Sequence, residues 1–137
     1  MRQNKVILIL LIAVVSLLSA CAKDSSTTTT TSTGRDAFLG SWSVTESHTK
    51  LTYDATISAD PNSANGVLIS GFAGTLTTGP SAGAVVSGAK ITLDANQVID
   101  GLKYNGGGTL SGKTINWNYT IDDGANVITA VATYTKK

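Results

Sequence analysis

The stretch Thr114-Ile115-Asn116-Trp117-Asn118-Tyr119-Thr120-Ile121 decides the fold class of this chain. Its apolar and aromatic side chains occupy every second position, which is the period of a β-strand with one buried face. The stretch from Leu51 to Ser58 alternates in the same way. Strands of this kind favour an antiparallel sheet with one face against a core and the other in water.

Shorter alternating runs flank these two stretches, and turns that contain glycine separate them. The runs lie at residues 41–48, 66–72, 84–86, 90–93, 102–110 and 126–135. Separators such as Asn65-Gly66 and Ser111-Gly112 predict hairpin turns, because glycine supplies the positive φ that they need. About eight short strands at this spacing predict an all-β fold with almost no helix, a single small antiparallel up-and-down β-barrel. A β-sandwich is the alternative.

The final run leaves its buried face undecided. Val127 and Val131 share one face of the predicted strand, whereas Ile128, Ala130, Ala132 and Tyr134 share the other. Because both faces carry apolar side chains, alternation alone does not say which one enters the core.

The N-terminal region predicts export. Arg2 and Lys5 precede an uncharged apolar run at residues 6–18, which is short for a membrane span but suits the apolar region of a signal peptide. The run ends in Leu18-Ser19-Ala20-Cys21, which resembles the lipobox of bacterial lipoproteins. The resemblance implies that residues 1–20 are a signal peptide and that Cys21 carries a lipid that attaches the protein to a membrane. An ordinary signal peptide followed by a chance cysteine is the alternative.

Residues 21–35 are predicted to be the lipidated cysteine and a linker, and residues 36–137 to be the β-barrel domain. Ser25 to Thr33 contains only Ser and Thr, so it has no apolar side chain that could offset the entropy of ordering. Every Trp, Tyr and Phe lies after Asp36, where the core must therefore form. Lys23-Asp24 resembles the short export signal of surface lipoproteins of the Bacteroidetes. We therefore expect a lipid-anchored protein of the bacterial cell envelope, at the periplasmic or surface face of the outer membrane.

A second resemblance concerns the start of the domain. Phe38-Leu39-Gly40-Ser41-Trp42 resembles the opening of lipocalin-like (calycin-type) domains, whose Gly-x-Trp begins the first strand and whose Trp plugs the closed end of the barrel. The chain is thereby similar to small lipoproteins of the Bacteroidetes with a barrel of this kind. Lipocalins proper also place an Arg on the last strand against this Trp, and residues 127–135 contain none. The resemblance implies a fold, and a fold alone does not imply a function.

The composition of the chain argues against several classes of partner and of binding site. The formal net charge is +1, from ten Lys and Arg against nine Asp and Glu, without a basic stripe, so nucleic acid is not an expected partner. One Cys and one His cannot make an intrachain disulfide or a Cys/His zinc site, and we predict neither a metal site nor a cofactor. Glu46 and His48 share a face of the first predicted strand, but no nucleophile or orienting group accompanies them. We interpret them as a surface or barrel-rim pair.

Two motif matches fail on their context. Residues 107–114 satisfy G-x-x-x-x-G-K-[ST], but an alternating strand follows where a phosphate-binding loop needs a helix. Residues 79–83 satisfy G-x-S-x-G, but no helix follows and His48 comes before the motif, whereas a hydrolase needs its histidine after the serine. We therefore predict that the protein is not an enzyme and has no catalytic residues.

Two function classes remain open. The preferred one is an interaction module whose loops contact a protein or a glycan, and the alternative is a lipocalin-like carrier of a small apolar ligand. An eight-stranded barrel is only just wide enough for its own side chains, although Gly106 and Gly108 could leave room for a ligand. The candidate ligand-wall or core residues are Trp42, Tyr53, Tyr104, Trp117 and Tyr119.

Overall fold

The computed structural model describes residues 34–75 and 78–137. One short helix and nine strands make up this part of the chain, so the prediction of an all-β fold with almost no helix is confirmed. A 3-10 turn, Phe72–Gly74, follows the third strand. The elements are α1 (Arg35–Phe38), β1 (Gly40–Glu46), β2 (Thr52–Ala59), β3 (Gly66–Ser70), β4 (Ala82–Ser87), β5 (Lys90–Leu93), β6 (Gln97–Ile99), β7 (Leu102–Ser111), β8 (Thr114–Asp122) and β9 (Val127–Lys136).

The strands close into an antiparallel barrel of eight strands with one extra strand. Successive strands are hydrogen-bonded neighbours except β5 and β6, and β1 pairs with β9 to complete the circle. Both β5 and β6 pair with β7, since Ile91 lies opposite Gly108 and Val98 lies opposite Lys103. Together β5 and β6 therefore occupy the place of one barrel strand. The up-and-down barrel is confirmed, and the sandwich alternative is wrong.

The observed strands differ from the predicted ones at several boundaries. The first strand ends at Glu46, because residues 47–49 turn the chain into β2. Leu51 lies outside β2 and is 57% exposed. The three-residue strand β6 was not predicted, because Gln97–Ile99 is too short to show a period.

The buried face of β9 is the one that carries small and aromatic side chains. Ala130, Ala132 and Tyr134 are buried, while Val127 and Val131 are 67% and 45% exposed. Ala132 lies directly opposite Trp117 on β8, so a small side chain on β9 faces a large one. Packing against β8 therefore decides the choice that alternation left open.

The first helix covers one end of the barrel. Trp42 is fully buried there, and its Nε1 donates a hydrogen bond to the carbonyl oxygen of Phe38 at 2.9 Å. Lys136 Nζ lies 5.3 Å from the centroid of the Trp42 ring and donates to the carbonyl oxygen of Ala37 at 2.9 Å. A cation at this distance interacts favourably with the face of an indole. Lys136, the last residue of β9, thus places its charged group beside Trp42.

Candidate functional site

The ring of Phe72 fills the barrel interior at the end away from α1. The chain leaves β3 at Ser70, and the 3-10 turn places Phe72 inside with no exposed surface. Its ring centroid lies 5.5 Å from that of Tyr104, 5.5 Å from that of Trp117 and 5.0 Å from that of Tyr119. Edge-to-face and tilted contacts of this kind each contribute about 0.5–1.5 kcal/mol beyond the area that they bury. The β3–β4 connection therefore contributes a side chain to the core.

A carboxylate lies in the same interior. Glu46, the last residue of β1, is 2% exposed, and the hydroxyl of Tyr119 donates a hydrogen bond to its Oε1. The hydroxyl of Thr49 donates to Oε2 at 2.8 Å. Neither of the two ion pairs among the described residues includes Glu46. Each carboxylate oxygen therefore has a neutral donor, and no described cation pairs with the carboxylate.

Two further phenols border this carboxylate, and we call Glu46, Tyr53, Tyr119 and Tyr134 the Glu46 cluster. Burial is the largest cause that raises the pKa of each of the three tyrosines. The charge of Glu46 raises the pKa of Tyr53 further, and the hydrogen bond to Glu46 raises that of Tyr119. Within the described residues, neither the hydroxyl of Tyr53 nor that of Tyr134 makes a hydrogen bond of good geometry, although the two side chains lie close enough for each to shift the pKa of the other. Unpartnered buried hydroxyls are costly, so this part of the interior has unused hydrogen-bonding capacity.

Trp117 adds a donor to the same region. Its indole Nε1 is buried and has no hydrogen-bond partner among the described residues. Its ring centroid lies 5.7 Å from that of Tyr134, at an interplanar angle of 45°. The interior around the Glu46 cluster therefore combines aromatic walls, one carboxylate and three polar atoms that make no hydrogen bond of good geometry within the described residues.

The structure brings together four of the five candidate wall or core residues. Tyr104, Trp117 and Tyr119 are buried around Phe72, and the ring of Tyr53 lies beside Gly74 of the 3-10 turn. Trp42 lies apart from them, against α1. A role for these residues as ligand walls stays a prediction.

The sequence interpretation of Glu46 as part of a surface or rim pair with His48 is wrong. Glu46 points inward, whereas His48 is exposed in the turn that follows β1. Phe72 and Tyr134 were also missing from the candidate residues. The alternation of Trp42, Val44 and Glu46 along β1 was the available signal for Glu46, since residues two apart on a strand share a face.

The expected room beside Gly106 and Gly108 is taken by side chains of β8. A Cβ atom on Gly108 would lie 3.0 Å from Cδ2 of Trp117 and 2.9 Å from Cγ2 of Ile115. Gly106 has a φ of +146°, and a Cβ atom there would meet the backbone of Tyr119. These glycines allow the aromatic side chains of β8 to pack against β7, so they do not open a space for a ligand.

Gly107, between these two glycines, forms part of a groove on the outer face of the barrel. It lies opposite Thr92 on β5 and opposite Asn118 on β8. The groove has a volume of about 270 Å³ and is also lined by Lys90 and Asn116. Since Lys90, Thr92, Asn116 and Asn118 are all exposed, it offers amides, a hydroxyl and one cation to solvent.

The two sequence motifs lie in strands and loops. Residues 107–114 are the end of β7, the hairpin turn and the first residue of β8. In the other motif Ser81 precedes β4, and its Oγ lies 3.0 Å from Oγ of Ser70. Among the described residues, no group of three or more His, Cys, Asp and Glu side chains could hold a metal ion.

A scan of protein-family models, a search of curated proteins and a search of solved structures found no match to this chain. Cys21, with the predicted signal peptide and most of the predicted linker, lies outside the described residues. In the part of the chain that the structure describes, no helix is both long enough and apolar enough to cross a membrane.

Proposed function

We propose that this chain is a lipid-anchored protein of the bacterial cell envelope whose barrel is a non-enzymatic interaction module. The anchor is supported by the resemblance of Leu18-Ser19-Ala20-Cys21 to a lipobox, and by the Ser/Thr linker that follows it. The similarity to small Bacteroidetes lipoproteins with lipocalin-like barrels supports a place in the outer membrane.

The burial of Phe72 is the main observation that supports an interaction module. Its ring occupies the interior among Tyr104, Trp117 and Tyr119, where a carrier would hold its ligand. An eight-stranded barrel filled by its own side chains binds through its outer surface and its loops. This favours a partner that remains outside the barrel.

The groove at Gly107 indicates the chemistry of such a partner. The amides of Asn116 and Asn118 offer both donors and acceptors, and the hydroxyl of Thr92 offers both as well. Because most of these groups are uncharged and polar, they suit the hydroxyl groups of a glycan better than an apolar surface. A protein partner that binds through a polar segment is the alternative.

A saccharide-binding screen with matched variants tests this proposal. The protein, immobilised through its C-terminus, should retain at least one polysaccharide from an array of soluble bacterial and host polysaccharides. The double substitution Asn116→Ala and Asn118→Ala should weaken this retention at least tenfold, because it removes both amides of the groove. The control pair, Thr52→Ala and Thr56→Ala, alters exposed side chains on β2, outside the groove, and should leave retention unchanged. Equal losses in both pairs, or no retention of any polysaccharide, would contradict a glycan-binding groove.

A second candidate function is that of a carrier, and the unpartnered polar atoms of the interior favour it. The hydroxyls of Tyr53 and Tyr134 and Nε1 of Trp117 are buried without partners in the described residues. A ligand that displaced Phe72 would find these atoms available. Saturable quenching or shifting of Trp emission by a small ligand, weakened by Trp117→Ala, is the signature of this function.

A further inference from the structure

We propose that the Glu46 cluster is a binding site for a small organic ammonium ion with a planar apolar body, which enters when Phe72 moves out of the interior. This inference rests on the carrier function, the second candidate above, and names its ligand class. Charge, hydrogen-bonding capacity and shape each support it.

Glu46 is the charged side chain that lies buried among the described residues. Its two oxygens accept hydrogen bonds from the hydroxyls of Tyr119 and Thr49, which are neutral. A buried carboxylate is strongly stabilised by an opposite charge, and no described Lys, Arg or His supplies one. A cationic ligand would complete the pair, whereas a carboxylate ligand would bring a second negative charge beside Glu46.

The aromatic side chains around Glu46 favour an organic cation. The rings of Trp117 and Tyr134 lie 5.7 Å apart, and those of Tyr104 and Tyr119 lie 6.4 Å apart. Faces of aromatic rings attract ammonium groups, and clusters of them are the known means of recognising organic ammonium ions. The unpartnered hydroxyl oxygens of Tyr53 and Tyr134 can accept hydrogen bonds from the N–H groups of the ligand, as Glu46 can.

The position of Phe72 defines the shape of the ligand body. Its benzyl group is enclosed by Tyr104, Trp117 and Tyr119, so its departure leaves a space of ring size with aromatic walls. The segment that carries it is held in left-handed conformations, with φ values of 75° at Gly71, 51° at Ala73 and 73° at Gly74. This conformation is unfavourable for Ala73, so the turn that buries Phe72 holds a strained backbone.

Isothermal titration calorimetry on the full chain in detergent tests the inference with three probes of one shape. These are phenethylammonium, neutral 2-phenylethanol and anionic phenylacetate. We expect saturable binding of phenethylammonium that is at least tenfold tighter than that of 2-phenylethanol, and no binding of phenylacetate. Glu46→Gln should abolish this preference, while the control Asp54→Asn, which neutralises an exposed carboxylate, should leave it within twofold. Equal affinity for the cation and the alcohol would overturn the inference.

A second pair of variants tests the displacement of Phe72. Phe72→Leu and Phe72→Ala both leave space in the interior, so phenethylammonium should bind each folded variant at least threefold more tightly than the unsubstituted protein. Phe72→Leu keeps an apolar side chain and serves as the measurement if Phe72→Ala does not fold. Unchanged or weaker binding to Phe72→Leu would overturn the proposed entry of the ligand.

A third measurement separates the failure of this inference from the failure of the carrier function. Long-chain fatty acids and retinoids are titrated into the same protein while Trp emission is followed. Saturable binding of these ligands without binding of phenethylammonium would refute the cation site and retain a carrier. The absence of binding by any of these probes would refute both, and the saccharide screen would remain the independent test of the interaction module.

Discussion

Among single residues, Glu46 lies on the inward face that the alternation of its strand predicts, although burial is unfavourable for a carboxylate. Its position in the alternation of β1 directs it inward, although carboxylates are almost never fully buried without partners. The hydroxyls of Tyr119 and Thr49 supply those partners from β8 and from the turn after β1. The inward position is therefore stable because Tyr119, which is distant in the chain, and Thr49, three residues after Glu46, both donate to it.

The two phenols Tyr119 and Tyr134 provide a matched test of this account. Tyr119→Phe removes a donor to a buried carboxylate and should lower the free energy of unfolding at pH 7 by about 1.5–3 kcal/mol. Tyr134→Phe removes a hydroxyl that has no partner among the described residues, so it should change stability by less than about 0.5 kcal/mol or increase it. Urea unfolding followed by Trp fluorescence measures both variants. Similar losses in the two variants would show that Glu46 does not depend on Tyr119.

At the scale of the element, the pair β5 and β6 shows how the barrel closes where one strand is interrupted. The backbone of Gly83, on β4, is joined to the side-chain amide of Gln97, the first residue of β6. Gly83 N donates to Oε1 of Gln97 at 2.8 Å, and Nε2 of Gln97 donates to the carbonyl oxygen of Gly83 at 2.9 Å. The side chain of Gln97 thus satisfies the N–H of Gly83 and shares its carbonyl oxygen with the backbone N–H of Asp94, which donates to it at 2.9 Å.

Loss of this amide should weaken the closure of the barrel. Gln97→Ala removes two hydrogen bonds to a partly buried backbone and should lower the free energy of unfolding by about 1–3 kcal/mol. Asn116→Ala, at an exposed position on β8, is the control and should cost less than about 0.5 kcal/mol. Hydrogen exchange should also speed up at the amide of Gly83 in Gln97→Ala alone. Unchanged exchange there would contradict the bridging role of Gln97.

In the chain as a whole, the closure of the barrel and the proposed lipid anchor of the N-terminal region depend on different residues. The described barrel is closed by the pairing of β1 with β9. The proposed lipid anchor depends on Cys21, the single cysteine of the chain. Stable attachment to a membrane needs at least two acyl chains, which modification of an N-terminal cysteine would supply.

Substitution of Cys21 tests the anchor in cells. Cys21→Ser should abolish labelling by a radioactive fatty acid and shift the protein from the membrane fraction to the soluble fraction, or leave it unprocessed. Ser19→Ala, which keeps a small residue at a position before Cys21, is the control and should remain labelled and membrane-bound. A Cys21→Ser protein that is processed, unlabelled and still in the membrane fraction would contradict the lipobox interpretation.

Local patterns in the sequence determined the turns and every strand of this protein except β6. The alternation in Thr114 to Ile121 and the glycine turns predicted an up-and-down barrel because both are properties of neighbouring residues. Such patterns did not predict which face of β9 points inward, because this depends on packing of Ala132 against Trp117.

The side chains that occupy the interior are determined by contacts between residues that lie far apart in the chain. Phe72 lies in it although this residue belongs to the connection between β3 and β4. The space beside Gly106 and Gly108 is filled by β8 and is not open to a ligand. Tyr119 meets Glu46 across a separation of 73 residues in the chain. Such contacts depend on the curvature and register of the closed sheet, which bring together side chains that no local period relates.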